Sequence, residues 1–304
     1  MDKIRLAVKV DVDTDRGTRI GVPNLIALFD EFGFKATFLF SLGPDNTGRA
    51  IKRIFRPGFL SKVSRTGVLS TYGVRTLLNG VFLPGPHIGQ KNEHVMRLAR
   101  EYGHEVGIHC FDHIRWQDGL KDMSRKAVYE EFSKARSEFE RIFGVQARSA
   151  GSAGWQANDF SLAAYDDAGL LYASDSRGTY AFFPRVNDMV YKTLQIPTTL
   201  PTLDELLGRP EFPEESIIDH YHSLLKHDRL NVLTIHAEIE GMKKSMYFRT
   251  FIKRLMKNEV QIETLDTWAR DLLNDPSSLP VCDLVQGTID GRSGTLSVQL
   301  CGPT

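Results

Sequence analysis

From Ile4 to Leu273 the chain alternates short β-branched or apolar runs with amphipathic helical patterns. This alternation constrains the fold more than any other feature, because each helix carries the chain back to begin another parallel strand. The first strand, Ile4–Val12, runs into carboxylates. Pro23 then opens a helical run over Asn24–Phe32, and Gly33 closes it, as proline and glycine do at the two ends of a helix. Lys35–Phe40 is predicted as the next strand. Helix and strand alternate through Glu93–Tyr102 and Glu105–His109, Arg125–Phe143 and Val145–Arg148, and Asn158–Ala168 and Leu171–Ala173. The pattern continues through Glu214–Lys226 and Asn231–His236, then Tyr247–Lys257, Glu259–Glu263 and Leu265–Leu273.

Ionisable residues recur where these strands end: Asp11 and Asp13, His109, Arg148, Asp175 and His236. In a barrel of parallel strands such ends converge on one rim, where an active site forms. A doubly wound sheet also gathers ligands at strand C-termini, but the first strand is not followed by a glycine-rich phosphate loop. At 304 residues the chain suits one α/β barrel. Residues 1–274 are therefore expected to form a single catalytic domain. Residues 275–304, rich in Pro, Ser, Gly and Thr, read as a partly disordered tail.

Charge composition excludes some partners. Lys plus Arg and Asp plus Glu both number 38, and this balance predicts no nucleic-acid partner. No obligate protein partner is inferred. Three cysteines at unrelated spacings fit neither a disulfide framework nor a cysteine zinc cluster, so reduced thiols in the cytosol are expected. The N-terminus carries acids where a signal peptide needs an apolar run, which predicts a cytoplasmic protein.

Four short motifs carry chemistry. Asp11-Val12-Asp13 puts two carboxylates on one face of a strand, a disposition that favours a cation between them; alone, such a pair is more often a turn or a helix cap. His109 and His113, four apart, would share one side of a helical turn and suit one metal ion. With a carboxylate they make the His, His, Asp set of open catalytic zinc sites. Arg148 opens R-S-A-G-S-A-G-W, whose glycines allow close backbone approach and whose Trp155 offers an apolar wall, although a plain loop explains it equally well. His236 ends the strand L-T-I-H; a lone histidine there is more often a satisfied rim residue than a catalyst.

In chain order, DVD, HCFDH, RSAGSAGW, ASDSRG and LTIH resemble the five motifs of the polysaccharide deacetylase, or NodB-homology, family. The resemblance covers roughly the first 275 residues and implies a distorted (β/α) barrel that hydrolyses amides. It also implies roles: Asp11 as catalytic base, Asp13, His109 and His113 as ligands of a divalent metal, usually zinc, and Arg148 as the arginine holding the base. Asp175 would pair with His236, the general acid for the leaving amine, and Leu233 would line the acyl pocket. The chain departs from the commoner pattern in having DVD where most members carry adjacent aspartates, and AGSAGW in its third motif.

Between Asn46 and Asn92 there is no acid, yet eight basic residues occur: Arg49, Lys52, Arg53, Arg56, Lys62, Arg65, Arg75 and Lys91. Interleaved with Ile51, Phe55, Phe59 and other bulky apolar residues, they suit a surface lying on anionic lipid headgroups. A solvated helical lid has nearly equal claim. Within the family, this insertion and the lack of an export signal are similar to members that remove the formyl group from 4-deoxy-4-formamido-L-arabinose on undecaprenyl phosphate, a step of lipid A modification. Arg49, Arg53 and Arg56 would then help bind a lipid-linked sugar at the membrane. The rival readings are an N-deacetylase of another sugar or polysaccharide, a cytosolic allantoinase-like hydrolase, and a catalytically silent lipid-binding scaffold.

Overall fold

The computed structural model describes residues 3–50 and 74–301. The inserted residues 51–73, with Arg53 and Arg56, lie outside it. β1 (Arg5–Val12) is buried on both faces, as a central parallel strand requires. A π-helical turn (Gly17–Gly21) leads into α1 (Val22–Glu31), which ends at Gly33 in the left-handed conformation that glycine adopts without penalty. The chain continues through β2 (Thr37–Ser41), α2 (Val74–Leu78), α3 (Ile88–Glu101), β3 (Glu105–Cys110), α4 (His113–Gly119) and α5 (Arg125–Phe143). Then come β4 (Ser149–Ala150), α6 (Asp159–Ala168), β5 (Tyr172–Ala173), β6 (Phe183–Val186), β7 (Met189–Val190) and β8 (Leu194–Gln195). The rest is α7 (Leu203–Leu206), α8 (Glu214–Leu224), β9 (Val232–His236), α9 (Ser245–Lys257), β10 (Gln261–Glu263), α10 (Leu265–Leu272), β11 (Val281–Gly287) and β12 (Leu296–Leu300).

Eight strands form one parallel sheet in the order β10-β1-β2-β3-β4-β5-β8, with β9 also paired to β1. Thr199 and Leu200, just past β8, donate backbone bonds to the Val232 carbonyl of β9 at 3.2 and 3.1 Å. The far edge therefore returns to the β1 side, giving the distorted (β/α) barrel. Its strand ends carry Asp11, Asp13, His109 and His236 to a common rim. Among the described residues no helix is long and apolar enough to cross a membrane.

Two expectations are overturned. Residues 281–300 are not a tail: β11 pairs antiparallel with β12 and parallel with β6, building a second sheet in the order β12-β11-β6-β7. This pairing sets Cys282 and Cys301 against each other, and they form a disulfide, leaving Cys110 as the buried free thiol. Odd count and irregular spacing concealed the pair, because antiparallel strands join residues that sequence spacing does not flag. The segment also anchors itself on the barrel side, where Ser297 accepts the Ala157 amide at 3.0 Å.

The core also stores a pH dependence. His104 is 4% exposed, packs edge-on against Phe29 and Phe38, and accepts the Ala36 amide on Nδ1 at 3.2 Å. Burial, reinforced by Lys35, pushes its pKa down to about 4. The folded state thus holds His104 neutral while the unfolded chain takes up the proton near pH 6.5. Its contribution to stability is complete above that value and declines as pH falls toward 4, on the order of 3 kcal/mol in total. Urea unfolding at pH 7 and pH 5 should show this loss in the wild type and a smaller one in His104→Gln; an equal loss in both would remove His104 from the account.

Candidate active site

Strand alternation sends Lys9, Asp11 and Asp13 to one face of β1, all of them buried. His109 is near the end of β3 and His113 is the first residue of α4, so the pair does not share a helical turn as expected. A strand-to-helix turn brings the two rings to a centroid separation of 5.3 Å. That turn is secured by Asp112, which caps α4 through the Arg115 amide at 3.0 Å and accepts Asn46 Nδ2 at 2.7 Å.

The Asp13 carboxylate sits between the imidazoles, with Oδ1 3.2 Å from His109 Nε2 and 3.5 Å from His113 Nε2. Burial alone would raise the Asp13 pKa, but His113 and His109 outweigh it and hold the carboxyl well below its usual range. Nδ1 of His109 lies 2.5 Å from the Gly151 carbonyl, which can only accept, so that nitrogen carries a proton and Nε2 is the ring atom turned toward Asp13. Asp13 Oδ1 is buried with no hydrogen-bond donor. One oxygen and two nitrogens lie within 4.8 Å of one another. This donor set fits a divalent ion: a buried carboxylate oxygen without a hydrogen-bond donor, beside two imidazole nitrogens, one of them held in place by the bond of the other His109 ring nitrogen to Gly151.

Around this centre the geometry assigns neighbours differently from the sequence. Arg148 does not reach Asp11; it is exposed and lies 3.7 Å from Asp266. The reason is register: β4 comprises Ser149–Ala150, after Arg148, so the arginine stands at the entry of its strand, away from the rim. Lys9 takes its place. Fully buried, its Nζ lies 3.6 Å from Asp11 Oδ1 and donates to the Ser174 carbonyl at 3.1 Å. Asp11 Oδ1 is also 3.9 Å from His109 Nδ1.

Asp175 does not pair with His236 either. Its carboxylate accepts the Ser152 amide at 2.6 Å and Gln195 Nε2 at 3.1 Å, bracing the loop that follows β4. The carboxylate facing His236 is Asp204, at 4.0 Å from Nδ1. Burial would lower the His236 pKa, but Asp204, followed by Asp13 and Asp11, raises it. Leu233 is 2% exposed and, with Ile235, packs toward Tyr221, Phe248 and Phe251 behind the strand. Alternation gives the opposite face to Thr234 and His236, so Leu233 belongs to the core and lines no acyl pocket. Trp155 is a wall only in part: it is 2% exposed, donates from Nε1 to Thr198 Oγ1 at 3.0 Å, and is contacted by cations. Arg49 is exposed and donates to the Gly80 carbonyl at 3.0 Å, part of the insertion's base.

Two buried acids after β9 had no sequence signal beyond their closeness to His236. Glu238 accepts the Asp13 amide at 3.1 Å, the Thr14 amide at 2.9 Å and Thr14 Oγ1 at 2.7 Å, fixing the turn that aims Asp13. Burial and Asp13 push its pKa up to about 8. Gly17 is required beside it, because a Cβ there would collide with the Glu238 carboxylate. Glu240 accepts the His236 amide at 2.9 Å. Burial pushes that carboxyl to about 7.

A parallel barrel with an Asp, His, His centre at its rim defines a class of hydrolase. The chain belongs to the polysaccharide deacetylase family, whose sequence profile matches residues 13–173, and this places it among amide hydrolases. Among curated relatives, the "Probable 4-deoxy-4-formamido-L-arabinose-phosphoundecaprenol deformylase ArnD" of Shewanella sediminis (strain HAW-EB3) is 36% identical over 299 residues, covering 97% of this chain and 94% of the relative. The protein of the same name from Wigglesworthia glossinidia brevipalpis is 33% identical over 290 residues, covering 93% and 98%. Among solved structures, a polysaccharide deacetylase candidate from Mycobacterium smegmatis superposes with a TM-score of 0.62 at 16% identity, covering 95% of this chain and 96% of that one. A probable polysaccharide deacetylase from Pseudomonas aeruginosa PAO1 gives 0.57 at 16% identity, covering 90% and 92%. At that identity the structures speak to the fold alone.

Proposed function

We propose that the protein hydrolyses the formamide of 4-deoxy-4-formamido-L-arabinose carried on undecaprenyl phosphate, releasing formate and leaving the free amine. The observation that carries this reading is the Asp13 carboxylate between His109 and His113, flanked by Asp11 and His236, in a chain that matches the named deformylases over nearly their whole length. Asp13, His109 and His113 would hold a divalent ion, and their mixed oxygen and nitrogen donors suit zinc. When bound, the ion supplies Lewis-acid chemistry at the amide carbonyl.

The chain's own groups then divide the proton work. Asp11, with Oδ1 buried and free of hydrogen-bond donors, takes the proton of the attacking water, and Lys9 keeps its carboxylate oriented and charge-balanced. His236, kept charged by Asp204 and the other nearby acids, gives a proton to the nitrogen as the C–N bond breaks. The formyl carbon keeps the water oxygen and the sugar keeps the nitrogen, so the atoms balance as hydrolysis. Turnover should favour the prenyl-phosphate-linked formamido sugar over N-acetylated polysaccharide and over allantoin. Preferred release of acetate, or allantoin opening at a comparable rate, would move the protein to another substrate class.

The same reading places the protein at the cytoplasmic face of a membrane. Next to the exposed Arg49, the tip Val81-Phe82-Leu83 stands out in solvent, with Phe82 77% exposed. An apolar tip beside cationic side chains can enter an anionic headgroup layer, where each cation contributes on the order of 1 kcal/mol. Phe82→Asp should weaken cosedimentation with anionic vesicles, and salt should weaken it further. Unchanged binding in both conditions would leave the insertion with a structural role only.

A further inference from the structure

We propose that Arg292, paired with Arg177 over Trp155, is the anion subsite that receives the phosphate joining the sugar to its lipid. This inference rests on the formamido-sugar reading and adds to it the residues that read the phosphate. Arg292 comes from the loop between β11 and β12, outside the stretch matched by the family profile.

Trp155 is ringed by cations: Arg292 Cζ lies 4.4 Å from the ring centroid, Arg177 Cζ 5.3 Å and Lys9 Nζ 5.2 Å. Stacking on an indole orients a guanidinium while leaving its edge available for hydrogen bonds. The two arginines share one carboxylate oxygen, Glu205 Oε1, and they share it unequally. Arg177 takes the short contact at 2.6 Å and also donates to the Leu200 carbonyl at 3.1 Å. Arg292 is left with 3.4 Å from Nη1, although its side chain is only 12% exposed. The other Glu205 oxygen is committed to the Thr202 amide at 3.0 Å. Two guanidinium charges thus meet one carboxylate, and a planar group with five donors has one long contact among the described residues. Arg177 Nε is likewise buried with no acceptor. Nearby Asp290 gives its Oδ2 to Arg209 at 2.6 Å. Such a deficit calls for an acceptor-rich anion, and phosphate oxygens match the guanidinium fork.

Position points the same way. Glu205 holds the arginines while the preceding residue, Asp204, faces His236. In the proposed reaction the leaving nitrogen stays on the sugar, so the sugar lies on the His236 side of the scissile bond. The consecutive residues Asp204 and Glu205 tie the arginines to the acid beside His236, and the phosphate, on the ring carbon opposite the nitrogen, is the substrate group left to meet them. Trp155 itself is held at a φ of 54°, left-handed backbone that a non-glycine residue adopts at a cost, as positions shaped for a ligand often do.

The test compares wild type, Arg292→Gln and Arg292→Lys on two soluble substrates. One is the formamido sugar linked to neryl phosphate; the other is its methyl glycoside, which lacks phosphate. Arg292→Gln should raise KM for the phosphate-linked sugar by about ten- to a hundredfold, the loss of a charge-assisted contact, and leave the methyl glycoside unchanged. Arg292→Lys should recover part of the loss. Calorimetric binding of neryl phosphate, which has no amide, should weaken by a similar factor in Arg292→Gln. Equal effects on both substrates, or neryl phosphate binding that is absent or insensitive to Arg292, would overturn the subsite even where formate is released. Binding of neryl phosphate that depends on Arg292, without formate from either substrate, would uphold the subsite and sink the deformylase reading.

Discussion

Replacing Asp11 by Asn is expected to lower turnover by about 10²–10⁴, the range for removing a general base, while metal content and substrate binding stay close to wild type. The expectation follows from Asp11 lying next to Lys9 and outside the group formed by Asp13, His109 and His113. It is sharpened by two companion variants. Lys9→Met leaves the base without its buried cation and should reduce turnover in the same direction. Arg148→Ala should leave it unchanged, because that arginine lies beside Asp266 at the opposite end of the barrel. If Arg148→Ala is the damaging change and Lys9→Met is silent, the assignment of the base's partner is reversed. Metal loss in Asp11→Asn would mean that Asp11 is a ligand.

The second large effect concerns the ligands. His109→Ala, His113→Ala and Asp13→Ala should each reduce bound divalent metal from about one ion per chain to a trace, with activity falling to the uncatalysed background. The residual metal should be lowest in His109→Ala. His109 is the most deeply buried of the three, and its second nitrogen is tied to the Gly151 carbonyl. Elemental analysis of each variant alongside its activity checks this. A fully active protein without metal would remove the centre from the mechanism.

The sequence made the metal triad readable because all three residues sit where a strand ends, and strand ends are local. Asp13 follows a largely apolar strand, and His109 and His113 bracket a short turn. Partnerships across the barrel were not legible in the same way. Whether Arg148 or Lys9 meets Asp11 depends on where β4 begins, and a shift of a few residues moved the arginine from one end of the barrel to the other. Lys9 looked like an interruption in an apolar strand, although a lysine at that position has to be paired to be buried. Asp204 reaches the site from the short helix α7 and Glu238 from the turn after β9, both placed by tertiary packing, so no spacing rule finds them. The C-terminal sheet was hidden for a related reason: β11 and β12 form a sheet by pairing with each other and with β6, about a hundred residues earlier in the chain, a contact no local pattern announces. Leu233 shows the limit of a motif without its pleat, since one residue along a strand exchanges the site for the core.

Water-driven cleavage of a formamide at this rim can be followed by single-turnover hydrolysis of the prenyl-phosphate-linked formamido sugar in ¹⁸O-labelled water. The expected result is formate carrying one labelled oxygen, together with an equal amount of free amine, and neither product in His109→Ala. Formate without label, or amine released undiminished by His109→Ala, would contradict it.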